Sequence, residues 1–135
     1  MPFTGNFTCN SFKSGLIDGD FDFDTDTFKI ALYTNSASLN AETAAYTTVG
    51  EVVGSGYTAG GNTLTASKGI TGGTAFITFA DTSWSAAITA RGALIYKNSG
   101  AAVCVLDFGS DKTSTTTFSV DFPVASSTDA LIRLS

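Results

Sequence analysis

A chain of 135 residues is the size of one domain. Such a domain buries roughly 68% of the surface its unfolded form exposes, so a core needs neither metal nor disulfide. The net charge is −5, and the seven cations Lys13, Lys29, Lys68, Arg91, Lys97, Lys112 and Arg133 are scattered. Phosphate neutralisation dominates nucleic-acid affinity, so this distribution argues against a nucleic-acid partner. Charged residues make up 14% and hydrophobic residues 43%, with eleven Phe. Thr, Ser, Ala and Gly fill the charge deficit, a mixture that suits pleated strands with uncharged outer faces. No stretch of about 18 apolar residues and no basic leader followed by an apolar run occurs, so the chain is expected to be neither membrane-spanning nor exported.

In chain order, residues 1–9 form an expected extended arm or first edge strand carrying Phe3 and Phe7. Phe12, Leu16 and Ile17 are spaced for one helical face, predicting a short helix over 10–18 with Asn10 or Ser11 as cap and Gly19 as stop. Gly15 weakens that helix. Thr27–Thr34 alternates as a strand, with Phe28, Ile30 and Leu32 on one face and Lys29 and Tyr33 on the other. Residues 36–68 hold few large apolar side chains and many glycines, and predict a long excursion with short strands near 51–57 and 62–66.

Thr74–Ala80 is a further strand. Arg91–Lys97 and Ala102–Phe108 are apolar on both faces and joined by Asn98-Ser99-Gly100-Ala101, a hairpin of two central strands covered on both sides. Thr115–Phe122 and Ala130–Leu134 complete the set. Cys104 lies in an apolar run and reads as a small buried hydrophobe; with Cys9 it allows one bridge, but nothing else resembles a disulfide scaffold. The pattern predicts one all-β domain, an antiparallel sandwich or jelly-roll with a short N-terminal helix.

Residues with catalytic potential are scarce. The chain has no histidine, which removes the commonest general base and metal ligand and every Ser-His or Cys-His pair. The only two glutamates, Glu42 and Glu51, lie in the loop-rich third. No enzyme activity and no cofactor are expected. Asp18–Asp26 holds five of the ten aspartates, and an extended backbone would put Asp20, Asp22, Asp24 and Asp26 on one face, with Phe21 and Phe23 on the other. Clustered carboxylates attract calcium, but an EF-hand frame from Asp18 puts Phe23 where glycine belongs and Lys29 where the bidentate glutamate belongs. A solvated edge is the preferred reading. Gly54–Gly61 lacks the strand–loop–helix frame of a phosphate cradle, and hairpin or bulge glycines are expected there.

The runs Phe28-Lys-Ile-Ala-Leu-Tyr-Thr-Asn-Ser-Ala-Ser-Leu-Asn40, Gly50-Glu-Val and Gly54-Ser-Gly-Tyr-Thr-Ala-Gly-Gly-Asn-Thr-Leu64 carry a resemblance. So do Ala90-Arg-Gly-Ala-Leu-Ile-Tyr96, Val103-Cys-Val-Leu-Asp-Phe-Gly-Ser-Asp-Lys112 and Phe118-Ser-Val-Asp-Phe-Pro123. Over roughly residues 10–135 the chain resembles a family of small virion structural proteins of tailed bacteriophages. It departs from that family's Phe-Lys-x-Glu-Leu-Leu pattern at Phe12-Lys-Ser-Gly-Leu-Ile17. The resemblance implies a particle component with no catalytic residues to carry over, foremost a capsid decoration or cement protein assembled in the host cytoplasm. Its expected partners are the major capsid protein or other virion proteins and further copies of itself, with a trimer favoured at local threefold points. Phe3, Phe7 and Phe12 are the expected anchors to a partner, and removal of residues 2–8 of the arm is expected to abolish particle binding while leaving the isolated fold intact. The alternatives are a neck, baseplate or tail protein, or a glycan-binding adhesin stacking sugars on Trp84, Tyr57 or Tyr46.

Overall fold

The structure, a computed structural model, describes Phe3 and residues 5–134. It is 44% strand and 7% helix, an all-β fold with several antiparallel sheets and one short helix, arranged like a sandwich. The largest sheet has the order β1-β8-β7-β2-β3, from β1 (Phe7–Thr8), β8 (Ala102–Thr113), β7 (Thr89–Lys97), β2 (Phe28–Tyr33) and β3 (Asn62–Leu64). A second sheet has the order β10-β5-β4, from β10 (Ile132–Leu134), β5 (Thr74–Phe79) and β4 (Ala66–Thr71). A two-stranded ribbon joins β6 (Thr82–Trp84) to β9 (Phe118–Val120).

The predicted helix forms as α1 (Asn10–Asp18), but its cap differs from the expectation. Cys9 takes the extended cap position without a side-chain bond. Asn10 and Ser11 are used across the fold instead: Asn10 N–H donates to the Ala41 carbonyl and Ser11 Oγ to the Ala102 carbonyl. Gly19, with φ 79°, ends the helix in the left-handed conformation as predicted. Gly15 has a packing reason. A Cβ there would lie 2.4 Å from the Phe21 ring, so the missing side chain is what lets Phe21 reach the helix.

Strands β2 and β5 form where alternation placed them, and β7 and β8 where the doubly apolar runs did; β7 is buried along Ala90–Tyr96, β8 only over Ala102–Val105. Several features differ from the sequence reading: β6 was not expected, β8 runs on past Phe108 to Thr113, and of 115–122 only Phe118–Val120 is a strand. Residues 51–57 make only the isolated bridges Tyr33↔Glu51 and Gly54↔Tyr57. The segment 66–71, assigned to the excursion, is instead a full strand turning tightly into β5 through Gly72 and Gly73 at φ 56° and 87°. Tyr33 is fully buried, because the second face of β2 is covered too.

Two apolar layers result, one on each side of the large sheet. The first joins Phe28, Ile30, Leu32, Ala93 and Ile95 to Phe12 of α1 and to Ile77, Phe79, Trp84, Phe118 and Ile132 of the smaller sheets. The second lies on the opposite face, where Ala31, Tyr33, Leu94, Tyr96 and Val105 are covered by Phe3, Cys9, Ala37 and Leu39. The excursion therefore serves both layers: Ala37 and Leu39 at its start help cover the second, whereas Val52, Tyr57 and Leu64 further along pack into the first.

Candidate interaction surface

Of the three aromatic residues expected to meet a partner, two lie inside the chain itself and the third is partly covered. Phe3 is buried in the second layer, where its ring lies against Gly92 and 5.6 Å beneath the Arg91 guanidinium. Phe12 is buried in the first layer, edge-on to Phe21 and Phe23. Phe7 is half-buried on β1, which adds to the large sheet through Phe7↔Val105 and Thr8↔Cys104. The arm therefore completes its own sheet, because a strand edge and an open apolar face lie within reach of the N-terminus. Arg91 and Asp107, next to it, form a buried ion pair that Phe3 covers.

The aromatic residues offered as sugar platforms are likewise engaged. Trp84 and Tyr57 are buried, 6.0 Å apart between ring centres, and Tyr46 stacks on Tyr96 at 4.7 Å. The aspartate run makes a turn rather than an extended edge. Asp26 accepts from the Asp22 N–H at 2.8 Å and pairs with Lys97 at 3.3 Å, while Asp24 pairs with Lys68 at 3.1 Å. Phe21 and Phe23, expected only to share the face of an extended strand opposite the aspartates, are instead turned against the core and stack on Phe28. Asp22 is held below the usual carboxylate range, first by the Asp24 backbone N–H that its side chain accepts. Among the described residues no three His, Cys, Asp or Glu side chains gather as a metal site. Cys9 and Cys104 are free thiols, and burial pushes Cys9 up to about 11 and Cys104 upward as well, which keeps both protonated and unreactive near neutral pH.

One concave apolar surface is left open. A groove of ≈ 360 Å³ runs between α1 and the inner face of the β10-β5-β4 sheet. Phe12, Leu16 and Phe23 form one wall, and Ile70, Ala75, Ile77 and Ile132 the other. The register Ile70↔Ala75↔Leu134 sets an apolar row across the sheet beyond the reach of the helix. Ile70 is 73% exposed and Leu134 53%. No protein-family model, curated protein or solved structure matches this chain.

The main polar construction is one that sequence reasoning missed. Glu51, only 6% exposed, accepts from Tyr46 Oη and Tyr57 Oη, each at 2.6 Å, and from Gly60 N–H at 2.8 Å. Tyr57 Oη in turn accepts from Leu32 N–H on β2, and Tyr96 Oη donates to the Gly60 carbonyl. This carboxylate has all its bonds to the chain's own groups, so it knots the excursion to the large sheet. The clue available in sequence was a lone glutamate among tyrosines and glycines.

Proposed function

We propose that this chain is a non-catalytic structural component of a tailed-phage particle, a decoration protein that strengthens the head lattice by adhering where capsid subunits meet. The observation that carries the proposal is the run of motifs spanning residues 28–123 that resembles such virion proteins. The geometry favours a binding over a chemical role: the buried Glu51 carboxylate is tied to Tyr46, Tyr57 and Gly60, and the open apolar concavity is rimmed by Ile70 and Leu134. The major capsid protein is the proposed partner, with further copies of this chain. An adhesin reading is less supported, since Trp84 and Tyr57, two of its three candidate platforms, are buried and the third, Tyr46, is half-buried.

The test is quantitative mass spectrometry of purified particles, with rebinding of the protein to heads that lack it. Copies in the hundreds per particle, restored on rebinding, are expected. Six or twelve copies would transfer the protein to the neck or tail, and none would end the particle reading.

A further inference from the structure

We infer that the open edge of β4 is a dimer contact, at which a second copy of this chain pairs its own β4 antiparallel across a two-fold axis near Gly69. The inference concerns this edge and does not depend on the phage reading.

In the β10-β5-β4 sheet, β4 is bonded to β5 on one side only. Gly72-Gly73 is a two-residue turn, so Thr71 and Thr74 flank it as a hydrogen-bonded pair, and the alternation along β4 follows. Ser67, Gly69 and Thr71 face β5 with their backbone groups, whereas Ala66, Lys68 and Ile70 direct N–H and C=O to the open edge. Among the described residues, no loop or side chain bonds to those groups. The devices that usually protect such an edge are missing: β4 has no proline and no bulge, and its one charge, Lys68, is drawn aside to Asp24.

The occupant of this edge must be an extended strand, since only another backbone satisfies alternating donors and acceptors. It must also bring an apolar side chain beside Ile70, at the mouth of the groove. β4 of a second copy meets both demands, and an isologous pair closes two open edges at once. Charge favours the same place. The molecule carries twelve carboxylates, yet none lies between Val52 and Ala80, the stretch that contains the β4–β5 hairpin. Asp24, which reaches β4 from another segment, is paired with Lys68, so two copies of net charge −5 meet with little repulsion there. A two-fold near Gly69 sets Ile70 opposite the partner's Lys68 and diagonal, on the same face, to the partner's Ile70; it gives four backbone bonds and keeps the two ammonium groups on separate pairs. This self-complementary edge replaces the threefold grouping expected from sequence as our reading of how copies first meet.

Sedimentation velocity of the full chain is expected to show a dimer that dissociates on dilution. Ile70→Pro removes an N–H that points away from β5, so it should give a monomer with an unchanged circular dichroism spectrum. As a second measurement, Ile70→Cys mixed with Lys68→Cys should form a disulfide-linked heterodimer, because opposed hydrogen-bonded residues stand about 5.5 Å apart, within disulfide reach. A wild-type monomer at 100 µM overturns the proposal. So does a dimer that survives Ile70→Pro, or a mixture of the two cysteine variants that does not cross-link beyond either variant alone.

Discussion

Glu51 shows what one side chain can decide in a chain poor in charge. Truncation to alanine would leave two tyrosine hydroxyls and the Gly60 N–H buried without an acceptor. Unpaired buried donors are costly, so Glu51→Ala is expected to lower the unfolding free energy by about 3 kcal/mol, and Glu51→Gln, which keeps an acceptor, by about 1 kcal/mol. Urea denaturation checks both. The surrounding tyrosines make a second expectation. Burial, with the negative charge of Glu51 nearby, pushes Tyr96 up to about 12 and raises Tyr33, Tyr46 and Tyr57 as well. A raised folded-state pKa means that the native state holds protons the unfolded chain has already released. Stability from these groups is therefore complete below about pH 10, the unfolded tyrosine value, and is lost as pH rises from there through the folded values. The urea midpoint should fall above that pH, with tyrosinate absorbance rising in step with unfolding. A tyrosinate signal that saturates near pH 10 in the folded protein would contradict the buried hydroxyls.

At the scale of elements, the β4–β5 hairpin was the largest feature that periodicity left unread. Ala66–Thr71 has one large apolar residue, Ile70, so alternation gave no signal, and the strand exists because β5 supplies a partner in register. The Gly-Gly pair carried the local clue. Both glycines adopt positive φ with open space around them, so the constraint is conformational rather than steric. Gly72→Asn should leave thermal stability within about 0.5 kcal/mol, because asparagine tolerates this turn conformation. Gly73→Val should cost about 1–2 kcal/mol or more, since a β-branched residue resists the left-handed region. Thermal unfolding of the two variants separates them. Gly61 is more severely confined: an added Cβ would lie 1.7 Å from the Ile30 carbonyl oxygen, where the excursion passes against β2.

For the whole molecule, the arm changes meaning once the second apolar layer is known. Phe3 covers the Arg91–Asp107 pair and closes the face of the large sheet opposite the first layer. Phe3→Ala is accordingly expected to cost about 3 kcal/mol, as large-to-small changes at buried sites do. Removal of residues 2–8 is expected to destabilise the isolated domain rather than leave it untouched. Chemical denaturation of the soluble protein reads this directly, without any particle. An arm that contributed nothing to the isolated fold would show no loss.

Apolar periodicity and glycine placement were enough to determine a mostly β chain, the helix over 10–18 and the hairpin of β7 and β8. Those are local properties, set by which faces of a strand or helix are apolar. Only the tertiary structure decided that Phe3 and Phe12 are spent inside the molecule, that Glu51 anchors the excursion, and that a groove and a bare strand edge remain beside Ile70. Burial and hydrogen-bond partnership belong to residues far apart in the chain. Phe3 and Arg91, or Asn6 Oδ1 and the Asp107 N–H that it accepts, come together only when the sheets assemble.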